Sequence, residues 1–152
     1  MRLRLKSRFA APAGLVWVRV QRSATLCYIA APLIEFRPVD PPLLPERFDP
    51  GAYTVGMRLF GLVPLGRQVI RPVVEEERPE VGRFCLLDAG SGTLIRRWDH
   101  RIRLAASGNG TDYEDDLFVE AGLLTPLVWL FAWIFYRHRQ QRLKTLLARA
   151  TG

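Results

Sequence analysis

The chain has 152 residues, 49% of them hydrophobic, and its 22 Lys and Arg residues exceed its 15 Asp and Glu residues to give a formal net charge of +7. This length fits a single domain over residues 1–152 and excludes two full domains, while leaving enough chain for a core and a cavity. Much of the positive excess lies in residues 137–149, so the rest of the surface is close to neutral. A nucleic-acid partner is therefore not expected.

The N-terminal segment is the clearest strand in the sequence. Over residues 2–9, basic and apolar residues alternate, as they do in a strand that is buried on one face only. Because this segment has no continuous apolar stretch, it is not a secretory signal, and we expect a cytoplasmic protein.

Residues 13–32 predict two short helices that follow Ala11-Pro12 and break near residues 21–23, with Ser23 as an N-cap. Residues 15–20 are rich in β-branched side chains and would also fit a strand by propensity alone. The helical interpretation of this segment therefore depends on the resemblance described below.

Six further strands are predicted at 33–37, 53–62, 67–76, 83–88, 95–105 and 111–120. Short turn-rich joints at 63–66, 78–82, 88–92 and 107–110 separate the later ones, which indicates an antiparallel meander. Five prolines between Pro38 and Pro50 predict a stiff extended loop.

The last two predicted strands give an expected register. Placing the turn near Gly108 sets Arg101 and Arg103 opposite Glu114 and Asp112 on the outer face, where the cationic row of the first strand would flank the same acids. On the inner face, Trp98, His100 and Ile102 would then face Leu117, Asp115 and Tyr113. His100 and Asp115 become neighbours, so a carboxylate would orient the imidazole.

Residues 121–136 are uncharged and mostly large. The segment is slightly short for a membrane span and contains Pro126, so it predicts a helix that covers the sheet. Because this part of the helix is apolar nearly all round, one side would cover the sheet and the other would meet a second copy of the chain or a membrane surface. An ordinary core helix with one or two exposed aromatic residues is the alternative. The arginines at 137–142 fit either a helix C-terminal dipole or phosphate contacts.

This order of elements resembles the START-like superfamily, also called Bet v 1-like or SRPBCC. The similarity rests on Ala11-Pro12 followed by Val16-Trp17, and on the ending from 111–115 through 121–123 into 135–140. The resemblance implies an α+β helix-grip fold. In that fold, a curved antiparallel sheet of about seven strands, interrupted after its first strand by two short helices, wraps a long C-terminal helix.

The resemblance also implies function. Members of the superfamily bind lipids, polyketides, hormones or quinones between sheet and helix, and some are cyclases or dehydratases. We therefore expect a hydrophobic small molecule or lipid as the partner. The predicted cavity residues are Trp98, His100, Ile102, Tyr113, Asp115, Leu117, Leu127 and Phe131.

Two other functions stay open. An enzyme of the cyclase or dehydratase type would use His100 and Asp115 as its acid–base pair, and an adaptor would dock on a membrane or protein through the aromatic and basic terminal helix. The alternative for these two residues is a buried His–Asp pair that only stabilises the fold. No metal or other cofactor is expected, since the chain has two histidines and no HExxH motif. The two cysteines, Cys27 and Cys85, are predicted to be reduced, packed thiols.

Overall fold

An antiparallel sheet of eight strands forms the frame of the protein in a computed structural model that describes the backbone of residues 1–151 and the side chains of residues 1–150. The spatial order is β1-β8-β7-β6-β4-β3-β2, and β5 pairs with β6 beside β4. The strands are β1 Arg2–Phe9, β2 Ile34–Asp40, β3 Tyr53–Leu59, β4 Val63–Ile70, β5 Pro72–Arg78, β6 Arg83–Gly92, β7 Arg97–Ser107 and β8 Gly110–Glu120.

Three α-helices accompany the sheet in the described part of the chain: α1 Ala13–Val20, α2 Ser23–Ala30 and α3 Thr125–Thr151. Short 3-10 turns occupy Pro79–Val81 and Gly122–Leu124. The curved sheet wrapped on a 27-residue C-terminal helix is the predicted helix-grip α+β fold. No helix within residues 1–151 combines the length and the apolar character needed to cross a membrane.

Burial explains why residues 13–20 are helical despite their β-branched side chains. Ala13, Val16 and Trp17 are buried, and their spacing puts them on one helix face. The Trp17 ring stacks on Phe84 of β6 at 5.1 Å, and its indole N–H donates to Glu77 at 2.9 Å. Tertiary packing therefore outweighs the local strand propensity.

Several details of the predicted helices and strands are wrong. The joint predicted at 63–66 is the start of β4, and the chain turns at residues 60–62 instead. Ser23 is the first residue of α2 rather than its N-cap, and its hydroxyl donates to the carbonyl of Pro45. The single strand predicted at 67–76 is divided at Arg71 between β4 and β5. The division arises because Pro72 has no N–H for the ladder, while the N–H of Arg71 donates to the Asp88 carboxylate at 2.8 Å.

The predicted register of the last hairpin is wrong by two residues. Ser107 pairs with Gly110 across a two-residue loop, and Gly108 takes a positive φ of 57° there. The turn is therefore centred one residue later than predicted. Arg101 faces Asp116 and Arg103 faces Glu114, while Trp98, His100 and Ile102 pair with Val119, Leu117 and Asp115.

The charged outer face exists in this corrected register. Asp116 is its centre, since it binds Arg2, Arg4 and Arg103 at 2.5–3.4 Å. Lys6 and Arg103 both pair with Glu114. Strand β1 borders β8, as predicted, so three strands share the alternating charges.

The segment 88–92 is not the predicted turn but the end of β6, where Ser91 and Gly92 pair with β4. Gly90 and Gly92 are required because the backbone of β4 lies against them. A Cβ at Gly92 would approach the Arg67 carbonyl oxygen to 2.5 Å, and a Cβ at Gly90 would approach the Val69 carbonyl oxygen to 3.0 Å. One cysteine prediction also changes, since Cys85 is buried but Cys27 is exposed.

Candidate functional site

A cavity of about 400 Å³ lies between the inner face of the sheet and helices α2 and α3. This volume falls within the usual range for small-molecule pockets. Its wall is mainly apolar and includes Ile29, Ile70, Leu86, Ile102, Val128 and Phe135. Ile29, Leu86 and Ile102 belong to one hydrophobic cluster of the core and Phe135 belongs to the other, so both clusters contribute to the wall.

Five of the eight predicted cavity residues line this space: Trp98, His100, Ile102, Leu127 and Phe131. The other three, Tyr113, Asp115 and Leu117, are fully buried in β8 and lie outside the cavity wall. His100 and Asp115 nevertheless meet, with 2.7 Å between Nε2 and Oδ1. They are diagonal neighbours across the β7–β8 ladder, which explains why the contact survives the two-residue error in register.

Asp115 is the shared acceptor at the centre of a buried hydrogen-bond network. Its Oδ1 accepts from His100 and from the Tyr113 hydroxyl at 3.0 Å, and its Oδ2 accepts from the Gln140 amide at 2.8 Å. Gln140 in turn accepts from the Ser7 hydroxyl at 2.6 Å, which links α3 to β1. Both carboxylate oxygens of Asp115 therefore have partners within the protein.

The protonation states of this pair follow from its surroundings. Burial lowers the pKa of His100 and outweighs the opposing effect of Asp115, so the imidazole is neutral at pH 7. Burial alone would raise the pKa of Asp115, but the hydrogen bonds from His100 and Gln140 and nearby positive charge lower it on balance. The Asp115 carboxylate thus accepts from Nε2–H. The unprotonated Nδ1 of His100 has no hydrogen-bond partner among the described residues.

The sequence of the basic segment 137–142 fits a dipole cap or a phosphate site, but in the structure its residues have separate roles. Arg137 is exposed and lies over the Trp133 ring at 4.9 Å. His138 and Arg142 bind backbone carbonyls at the end of α2, at 2.7 and 2.9 Å. Arg139 is 7% exposed and lines the cavity.

Sequence reasoning missed Arg139 as a site residue. Its guanidinium carbon lies 4.9 Å from the Tyr136 ring and 5.7 Å from the Phe135 ring. Nε of Arg139 is buried without a hydrogen-bond acceptor among the described residues. The signal was present, since Arg139 follows Tyr136 by three and Phe135 by four positions and so shares their helix face.

Gln68 and Asp88 were also missed, and both line the cavity. Oε1 of Gln68 is buried and has no donor among the described residues. Burial raises the pKa of Asp88 to about 6, although the N–H of Arg71 donates to its carboxylate. The cavity therefore combines an apolar wall with a few polar groups, as ligand sites do.

Apolar residues also surround the opening of the cavity. Leu94, Leu124 and Leu127 line it while remaining 50%, 49% and 66% exposed. The exposed apolar residues continue along α3 as Leu130, Trp133 and Ile134. We refer to Leu123, Leu124, Leu127, Leu130 and Ile134 as the leucine stripe.

A larger depression of about 630 Å³ lies on the outer face of the sheet. Its wall includes Lys6, Arg8, Arg103, Asp112 and Glu114, which pair with one another and are open to water. These charged groups are therefore already paired with one another. Among residues 1–150, no group of three or more His, Cys, Asp or Glu side chains is arranged to hold a metal ion.

Solved structures with the same architecture define the fold class. A START superfamily protein from Mycobacterium smegmatis has a TM-score of 0.70 and 16% identity, with 98% of each chain covered. The Zhui aromatase/cyclase from Streptomyces sp. R1128 has a TM-score of 0.67 and 12% identity, covering 100% of this chain and 96% of its own. The protein Ara h 8.0201 has a TM-score of 0.63 and 9% identity, with 98% of each chain covered.

These likenesses confirm that the chain has the START-like, or Bet v 1-like, fold. At this level of identity they establish the fold alone. No protein-family model matches the sequence, and no curated protein matches it either.

Proposed function

We propose that the protein binds a hydrophobic small molecule or lipid in the cavity between its sheet and α3. The observation that carries this proposal is the unfilled apolar space itself, which is open to solvent beside Leu94, Leu124 and Leu127. Protein interiors are normally packed without voids much larger than a water molecule. A space of about 400 Å³ that reaches the surface is therefore better suited to a guest than to water.

Apolar burial would supply the affinity, at roughly 25 cal/mol for each Å² of apolar surface removed from water. Trp98, Ile102 and Phe131 contribute to the apolar wall, while His100 offers an acceptor at Nδ1. Few protein motions are needed for binding, because the opening is already present.

A dye titration tests this proposal. N-phenyl-1-naphthylamine is neutral and brightens in apolar surroundings, so the wild-type protein should give a saturable increase in fluorescence with one dye per chain. Leu65→Trp, which enlarges a side chain in the cavity wall, should weaken dye binding at least about 10-fold because it fills the space.

Leu43→Trp is the matched control, since Leu43 is 79% exposed and does not line the cavity. This variant should bind the dye as the wild type does. If the wild type gives no saturable signal, or if Leu65→Trp and Leu43→Trp bind equally well, the cavity is not a binding site.

An acid–base enzyme is the second candidate, because His100 lines the cavity and Asp115 fixes its tautomer from behind. The free Nδ1 of neutral His100 would take a proton from a bound substrate. His100→Gln should abolish turnover of a polyketide-like substrate while leaving dye binding intact. Full turnover by that variant would eliminate this candidate.

Docking on a membrane or protein is the third candidate, and the leucine stripe favours it. Binding to vesicles of phosphatidylcholine with 30% phosphatidylglycerol should then fall in the double variant Leu127→Ser/Leu130→Ser. Dimerisation through the stripe would instead appear as a change in mass by analytical ultracentrifugation. Vesicle binding and mass that are the same in the variant and the wild type would count against any docking role.

A further inference from the structure

We infer that the ligand is an amphipathic acid, an apolar molecule whose single carboxylate or similar acidic oxygen group is bound by Arg139 inside the cavity. This inference rests on the proposed binding function and adds the chemical class of the ligand. It starts from two observations that are independent of the apolar wall. A buried arginine lines the cavity, and the Nε of its guanidinium is buried without a hydrogen-bond acceptor among the described residues.

The position of Arg139 is fixed by packing. The rings of Tyr136 and Phe135 contact its guanidinium, as cation–π partners do. Aromatic faces attract the charge but do not satisfy the directional N–H donors of a guanidinium. An arginine that is 93% buried is expected to have acceptors for these donors, because unpaired buried polar groups are costly.

The carboxylates that surround Arg139 do not provide these acceptors. Both oxygens of Asp115 are already used by His100, Tyr113 and Gln140. Asp88 accepts from the backbone N–H of Arg71 and forms no ion pair with Arg139 within 4.0 Å. Burial opposes the charge of Arg139, but Tyr136, Asp115 and the other nearby acidic groups raise its pKa on balance, so the side chain is a cation.

The missing partner is therefore best supplied by a ligand. A planar guanidinium binds a carboxylate with two parallel hydrogen bonds, and such charge-assisted bonds are stronger than neutral ones. The remaining wall is apolar, so the rest of the ligand should be a hydrocarbon or aromatic body. Gln68, whose Oε1 is also without a donor, offers an acceptor for a hydroxyl group on that body.

The test compares two ligands that differ only in the head group. Dodecanoate and 1-dodecanol are used to displace N-phenyl-1-naphthylamine at pH 8 from the wild type and from Arg139→Met. The variant should bind dodecanoate about 10- to 100-fold more weakly, since a hydrogen bond to a charged group contributes about 1.5–3 kcal/mol. Its affinity for 1-dodecanol and for the dye should change less than about 3-fold.

Arg137→Met is the matched control, because Arg137 is the exposed arginine two residues away on the same helix. It should bind both ligands as the wild type does. Arg139→Lys, which keeps the charge and guards against a folding defect in Arg139→Met, should retain part of the dodecanoate affinity.

Two outcomes would overturn the inference while leaving the proposed function standing. Either Arg139→Met binds the dye and dodecanoate as the wild type does, or it weakens dodecanoate and 1-dodecanol equally. A wild-type protein that binds no dye and neither ligand would instead contradict the proposed function itself. The two failures are therefore distinguishable.

Discussion

Arg139 and Asp115 are both buried and charged, but they differ in how far their hydrogen bonds are satisfied within the protein. Both carboxylate oxygens of Asp115 accept hydrogen bonds, from His100, Tyr113 and Gln140. Arg139, one position from Gln140, is left with aromatic contacts and the cavity. The satisfied Asp115 is suited to stabilising the fold. Arg139 is suited to recognising a ligand, because its Nε–H donor has no acceptor among the described residues.

The Asp115 network should be important for stability. Asp115→Ala leaves the buried His100 and Tyr113 donors without a partner and removes one acceptor of the Gln140 amide, so it should lower the free energy of unfolding by about 3 kcal/mol or more. Urea unfolding at pH 7 measures this change. Asp112→Ala is the control, because Asp112 is exposed and 3.7 Å from an exposed Arg8, and it should cost less than about 0.5 kcal/mol. Equal losses in the two variants would show that the buried network contributes nothing specific.

Asp88 should make stability depend on pH in the opposite sense from an ordinary ion-paired carboxylate. The pKa of Asp88 is raised to about 6 in the folded protein, so the protonated carboxyl stabilises the fold. This contribution to the free energy of unfolding is fully present below the pKa that Asp88 has in the unfolded chain, and it is lost as pH rises through 6. Asp88→Asn should therefore gain about 2 kcal/mol relative to the wild type between pH 4 and pH 7.5. Urea unfolding at the two pH values measures this, and a constant difference would contradict the raised pKa.

At the scale of elements, much of the fold follows from local patterns. The alternation of residues 2–9 predicts β1 with its bounds, and the apolar run after residue 120 predicts a helix on the sheet. What could not be predicted was set by partners distant in sequence. The division of 67–76 depends on Asp88 binding the N–H of Arg71, and the glycines at 90 and 92 depend on the backbone of β4 lying against β6.

Substitutions on the two faces of the C-terminal helix should differ sharply in their effect on the free energy of unfolding. Leu143 is 1% exposed in the core, so Leu143→Ala should lower the free energy of unfolding by about 2–5 kcal/mol through lost burial and a cavity. Leu130→Ala, on the leucine stripe of the same helix and 50% exposed, should change it by less than about 0.5 kcal/mol. Thermal and urea unfolding measure both. A large loss in Leu130→Ala would mean that the stripe is covered by a second copy of the chain.

At the scale of the whole molecule, the fold could be predicted better than the site. The resemblance gave the sheet, the helix and the space between them, and five predicted residues line that space. The other three lie outside its wall, and the two groups with unpartnered buried atoms, Gln68 and Arg139, were missed. Periodicity assigns a residue to a face, but it does not tell which polar side chain will remain without a partner. That depends on every neighbour at once.

The central claim is that an apolar guest lies between the sheet and α3. Isotope-filtered NOE spectroscopy of methyl-labelled protein with N-phenyl-1-naphthylamine tests it most directly, because it reports which methyl groups touch the dye. We predict NOEs from the dye rings to the cavity methyls of Ile29, Ile70, Leu86 and Ile102. NOEs confined to Leu123, Leu130 and Ile134 of the leucine stripe, or none at all, would contradict the account.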